Sequence, residues 1–250
     1  MSRVNLFNGV SIYVEATGKT YHTYDTWGLY VNNTDYIKDP KQYTNYITVP
    51  GRTGKIDASD VLTGRPIFTH REIKISLAGT RFRTDWDSVI SGFRNDIMGQ
   101  ICRITFDNDS NYYWRGRIGV IDFSSVLDLG KFYLTIPEAE PYKYNKTSSA
   151  EPWLWDPFNF ETDVITYLPS QQITVSGTIT IPAGHMLTCP TLLVSDIVGG
   201  TFTVEVDGVT YSLIQGSNVI PSIMVGGGSE VDLDFTGTAK VQIIYRSGSL

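Results

Sequence analysis

REIKISLAGTRFRTDWDSVISGFRNDIMGQICRITF, residues 71–106, holds two different hydrophobic periods side by side. Glu72-Ile73-Lys74-Ile75-Ser76-Leu77 alternates polar and apolar, as does Cys102-Arg103-Ile104-Thr105-Phe106, which is the period of a strand with one buried face. Between them Trp86, Val89, Ile90, Phe93 and Ile97 recur at three- and four-residue spacing. That spacing predicts a helix over about residues 85–98 with one apolar stripe, Thr84 capping its start and Gly99 ending it. Further strands are expected over 113–120 and 131–136. A strand, a helix and then three strands make an α+β layer, not an alternating βαβ sheet.

Working outward, the region from Trp27 to Arg65 has a weaker pattern, with tyrosines and turn residues among short apolar runs. It suits a long hairpin, an extended arm or a surface loop. Downstream, Pro137-Glu138-Ala139-Glu140-Pro141-Tyr142-Lys143-Tyr144 and Asn145-Lys146-Thr147-Ser148-Ser149 suit an exit from a sheet into a linker. Beyond it the chain turns to Thr, Val, Ile, Ser and Gly, with strands expected over 172–181, 187–195, 202–206, 209–214, 230–235 and 239–245. Asp207-Gly208 is a hairpin signal, because both residues tolerate positive φ. The pattern is that of a β-sandwich. The reading is therefore mainly β, with an α+β N-terminal domain over 1–144 and a C-terminal β-sandwich over 145–250.

Charge divides the chain in the same place. Residues 1–143 hold 17 Lys+Arg against 16 Asp+Glu, and residues 144–250 hold 3 against 10, within a total of −6. An acidic chain lacks the basic patch that phosphate contacts require, which argues against nucleic-acid binding. With 41% hydrophobic and 18% charged residues the chain folds, and at 250 residues two cores are expected. No run of about 18 apolar residues is present, and no basic segment leads into an apolar run at the start, so neither an anchor nor a signal peptide is expected. Cys102 and Cys189 lack metal-ligand spacing and read as small buried hydrophobes of a reducing compartment.

Catalytic constellations are missing. His22, His70 and His185 are isolated from one another, and the sequence carries no GxSxG, GxxxxGK[ST] or GxGxxG. Glu138 with Glu140 and Asp232 with Asp234 are acid pairs at shared-face spacing, and Val231, Leu233 and Phe235 around the second mark an ordinary strand with its acids in solvent. Asp107-Asn108-Asp109 lacks the Gly and later Glu of a calcium loop and reads as a turn. No catalytic, metal or cofactor residue is assigned. Trp153-Leu154-Trp155 and Tyr112-Tyr113-Trp114 remain as binding aromatics. Trp153 and Trp155 alternate and point the same way, which suits packing of one domain on the other or stacking on a sugar ring.

Three short motifs occur in order: Val49-Pro50-Gly51-Arg52-Thr53-Gly54 followed by Asp57, then Tyr113-Trp114-Arg115-Gly116-Arg117-Ile118, then Pro141-Tyr142-Lys143-Tyr144. Their arrangement resembles the distal tail proteins of siphophages, as does Ile243-Ile244-Tyr245-Arg246 near the end. The resemblance implies a tail-tube-like first domain, a galectin-like second domain, and a structural virion protein without catalysis. It implies a homohexameric hub ring, with the Trp27 to Arg65 region containing an arm that embraces the neighbouring copy. The partners it implies are the tail tube protein and the tail-associated tip protein, with tape measure and receptor-binding proteins beyond them. DNA would pass through the lumen without sequence-specific contact, and assembly would occur in the host cytoplasm. Pro50, Gly51, Arg52, Gly54, Asp57, Arg115, Gly116, Arg117, Pro141 and Tyr142 are its interface candidates. A carbohydrate-binding tail component is the alternative, although His185, Asn218 and Arg246 are scattered where a galectin-type site needs a cluster.

Overall fold

A computed structural model describes residues 9–33, 37–61, 64–80, 85–126, 129–152 and 167–250. The chain forms two compact units, Met1–Lys143 and Tyr144–Leu250.

In the first unit, β1 (Val10–Val14) and β2 (Lys19–His22) form a hairpin followed by a short helix α1 (Thr23–Trp27) and by β3 (Tyr30–Asn33). The strands β4 (Tyr46–Thr48) and β5 (Lys55–Asp57) pair only with each other. Then come β6 (Arg71–Thr80), α2 (Trp86–Ile97), β7 (Ile101–Phe106), β8 (Tyr112–Arg117), β9 (Val120–Val126) and β10 (Leu129–Ala139), with β11 (Lys143–Asn145) at the boundary. Two antiparallel sheets, in the orders β8-β7-β1-β2 and β3-β6-β10-β9, share one core. Val10, Ile12 and Val14 enter it from β1, Cys102 and Ile104 from β7, and Phe132, Leu134 and Ile136 from β10.

The helix α2 delivers the expected stripe: Trp86, Val89, Phe93 and Ile97 are buried, and Ile90 is half-buried against them. Phe93 meets Phe132 edge-on at 5.7 Å and Trp27 at 4.6 Å. Trp86 lies over Gly130, where a Cβ would come within 2.6 Å of the indole, so a glycine there lets the helix approach the sheet. Gly99, at φ +76°, ends the helix as expected. The expected cap Thr84 lies outside the described residues.

Three expectations for this unit need correction. A second helix exists: α1 is one turn, too short for a periodic signal, and His22 accepts the Asp25 N–H at its start while Gly28 at φ +67° closes it. The strand expected over 113–120 ends at Arg117. There the chain changes sheets, the Ile118 N–H bonding to Gln100 beside β7 and the Gly119 N–H to Thr135 of β10. Alternation continues through the crossing and hides it. For the same reason β9 was not anticipated as a strand of its own.

The second unit contains β12 (Gln171–Ile173), β13 (Ser176–Ile181), β14 (Thr191–Val206), β15 (Val209–Leu213), β16 (Gly216–Val219) and β17 (Val231–Ile244). Four of the expected strands merge into two long bent ones, β14 and β17, which run through one six-stranded antiparallel sheet and pair with different strands at their two ends. Thr191–Val194 of β14 pair with β16 and with the end of β17, which β12 flanks. Farther along, Phe202 to Val206 pair with β15, and Val231 to Thr236 of β17 with β13. Gly199, Gly200 and Gly237, all at positive φ, lie in the bends, so residues that signal turns here make bulges. The expected 172–181 strand is split at Val175, which has φ +70°, and β16 was not foreseen. Asp207-Gly208 forms the predicted two-residue hairpin, both at positive φ. Phe202 and Phe235 stack at 5.6 Å in the core of this unit.

Candidate assembly surface

The Trp27 to Arg65 region contains the outgoing leg and tip of a long antiparallel arm, whose return leg runs past Arg65 into β6. Ile37 bridges Ile73, the Lys38 N–H bonds to Glu72, the Thr69 N–H to Lys41, and Gln42 bridges Phe68. After a loop on the return leg, the Ala58 N–H bonds to Asn45 and β4 pairs with β5. Asp57 fixes the start of that loop, accepting from the Ser59 N–H at 3.0 Å and its hydroxyl at 2.5 Å, while Ser59 accepts the Asn45 N–H at 2.8 Å. These bonds, the hydroxyl's foremost, hold the Asp57 carboxyl below its ordinary range. Gly51 and Gly54, at φ +82° and +84°, make the tip, and Arg52 is exposed between them.

Among the described residues nothing covers β4 or β5: all six of their residues are exposed. Ile47 stands directly opposite Ile56, so they share a face, and Val49 extends it by alternation. Of the exposed large apolar side chains in the described first unit, all but Tyr24 and Met98 lie on the arm, with Tyr43 at 55%, Tyr46 at 53% and Ile47 at 48%. A bare two-stranded ribbon is marginal in water, and concentrated exposed apolar area marks an interaction site.

The remaining motif residues occupy β8 and the turn between β10 and β11. Arg103 and Arg115 are register partners, two like charges side by side. Glu15 resolves them, its Oε1 accepting from both Nε atoms at 2.8 and 2.9 Å and its Oε2 from Arg115 Nη2 at 2.8 Å. Glu140 accepts from Arg115 Nη1 at 2.6 Å, tying the exit of β10 to the other sheet. The Arg115 hydrogen bonds, opposed by burial and reinforced by Arg103, lower the Glu15 carboxyl to about 2. Its bonds to Glu15 and then Glu140 raise the Arg115 guanidinium above its ordinary value. The four charges neutralise one another, which suits rigidity and not proton transfer. Gly116 allows close approach of the sheets, since a Cβ there would meet Ile136 at 2.5 Å. Arg117 donates to the Gly99 carbonyl at 2.5 Å.

Pro141 and Tyr142 are half-buried, and Tyr142 meets Phe68 at the arm's base edge-on at 6.2 Å. Burial raises the Tyr142 hydroxyl, with the Arg65 charge opposing. Thus the third motif contacts the arm, Arg115 joins Glu140, and Pro50 to Gly54 stay apart at the tip. Trp153 and Trp155 lie outside the described residues. Glu15 and Arg103 escaped the sequence reading because no local pattern shows a partner 100 or 88 positions away.

Elsewhere the acids are accounted for. Glu138 is exposed, whereas Glu140 belongs to the cluster. Asp232 and Asp234 face solvent, accepting from Thr180 and Thr178 at 2.6 and 2.5 Å. His22 contacts Asp25 at 3.0 Å and Asp107 at 3.2 Å, while His70 and His185 are exposed. Asn218 spends its amide on the Ile214, Gly216 and Leu192 carbonyls, and Arg246 donates to those of Asn145 and Lys146. Cys102 is buried, its thiol pushed up to about 11 chiefly by desolvation, and Cys189 is half-buried; both are free. Among the described residues no metal-ligand group of three occurs and no helix is long and apolar enough to cross a membrane.

These elements define a mainly β, two-unit protein whose first unit extends a hairpin with unburied apolar faces. That fold is found in a solved phage protein. The crystal structure of SPP1 Dit, described as a paradigm of the hub adsorption apparatus in phages infecting Gram-positive bacteria, matches with a TM-score of 0.63 at 14% identity, over 96% of this chain and 99% of that one. The resemblance drawn from the motifs therefore holds for the fold. No family model matches the chain, and no curated protein does.

Proposed function

We propose that the chain is a structural subunit of a bacteriophage tail, a distal hub joining the tail tube to the adsorption apparatus, without catalytic activity. The observation that carries this is the agreement of both units, over nearly the whole of each chain, with a hub protein's fold. The arm supports it. An element exposed on both faces gains stability by docking on something, and identical copies closing into a ring supply that surface at every position. An interface including such an arm reaches the obligate class, above roughly 2,000 Å² in total. On this reading six copies form the ring, one face meeting the tube and the other the tip protein. The tape measure and receptor-binding proteins lie beyond, and the protein resides in the virion after assembly in the host cytoplasm.

Immunogold electron microscopy of virions or tail-like particles, using an antibody to this chain, tests the placement. Gold is expected at the junction of tube and tip in each particle; gold along the tube, on heads, or on no particle contradicts it.

A further inference from the structure

Arg71, at the start of β6, is buried to 5% exposure among core residues. Its guanidinium lies 4.6 Å from the centre of the Trp114 ring on the other sheet, and its Nε has no hydrogen-bond partner. A buried cation whose Nε is unpaired is expensive to keep for stability, because an apolar side chain of similar volume fills such a site as well or better. Its surroundings give another reason to keep it. The bridges Ile37 to Ile73 and Gln42 to Phe68 share one register, which places Asp39 of the arm's outgoing leg directly across from Arg71. No hydrogen bond or close ion pair joins them. Burial works against the guanidinium's charge, and the carboxylate that supports it is Asp39. On its other side Arg71 is the register partner of Ala139 of β10, two residues before the Pro141-Tyr142 pair.

We propose that Arg71 is a positioning residue for the arm: held in the body by Trp114, it acts on Asp39 across the root of the hairpin and fixes the direction in which the arm leaves. This rests on the reading of the arm as an assembly element, and it adds the residue that orients that element. A buried charge has few places to go, and the contact with Trp114 holds the guanidinium over the face of that ring. The attraction of Asp39 therefore acts toward a fixed point in the body, and a small rotation at the root becomes a large displacement at the tip.

Hydrogen–deuterium exchange on the full chain, diluted until monomeric, tests this in wild type, Arg71→Met, Asp39→Asn and the double variant. Each single variant is expected to speed exchange of arm amides in residues 41–58 by about tenfold, leaving β1 and β7 unchanged, and the double variant to add little. Arg71→Met is expected to melt no lower than wild type and to weaken self-association at higher concentration. Unchanged arm exchange in both single variants overturns the proposal, as does a loss of protection spread equally over arm and body, the result of a merely structural role. Asp39→Asn, on the surface, keeps the test valid should Arg71→Met misfold. A wild-type chain that never self-associates would sink the assembly reading alone, because exchange is read in the monomer.

Discussion

Replacing Ile47 and Ile56 together by aspartate is expected to abolish self-association while leaving the chain folded. The two isoleucines are 48% and 36% exposed within the chain, so their loss takes little from its core. In an assembled ring they would be buried, and each fully buried isoleucine contributes about 1.5–3 kcal/mol, before the cost of desolvating two carboxylates. The apparent dissociation constant should rise by roughly 100-fold or more. Sedimentation of wild type and variant at matched concentrations, with thermal melts of both, reads the two effects separately. An equal oligomer in the variant would show that the apolar face of the hairpin is not what a neighbour covers.

The second large effect concerns Glu15. Its carboxyl is lowered from 4.5 to about 2 by Arg115 first and Arg103 after it. A depressed folded-state value means that the unfolded chain takes up the proton first. The stabilisation is complete above about pH 4.5 and is lost as pH falls through about 2. The shift would correspond to about 3 kcal/mol in full, but Arg103 and Arg115 are 40% and 36% exposed, and solvent screening reduces it to on the order of 2 kcal/mol. Glu15→Gln also leaves the two guanidiniums side by side without their shared anion. The first unit's melting temperature should fall by roughly 4–8 °C at pH 7, with the gap to wild type closing between pH 4.5 and 2. A gap independent of pH would mean that Glu15 acts through packing.

Local periodicity made much of the fold legible. The 3.6-residue stripe of α2 and the alternation of β6, β7 and β10 need only their own neighbourhood, as does the Asp207-Gly208 turn. What escaped was whatever depends on distant chain. Alternation runs unbroken through Ile118-Gly119, although the chain passes there from one sheet to the other. Gly199-Gly200 and Gly237 signal a reversal equally well whether the strand ends or bends, and only the pairing of β14 with β17 on both sides of the bend decides. The same limit applies to the candidate surface. Gly51 and Gly54 marked a turn, but the sequence of β4 and β5 does not say that Ile47 and Ile56 stay exposed among the described residues. Arg103 and Arg115 each read as the polar residue of an alternating strand, and their common anion comes from Glu15 at the end of another.

Native mass spectrometry of the intact wild-type chain, paired with negative-stain imaging of the same sample, puts the central claim to its most direct test. The expected result at micromolar concentration is a closed ring of identical copies, six by resemblance, with an open centre. A stable monomer in that range, its arm still exposed, would contradict the account.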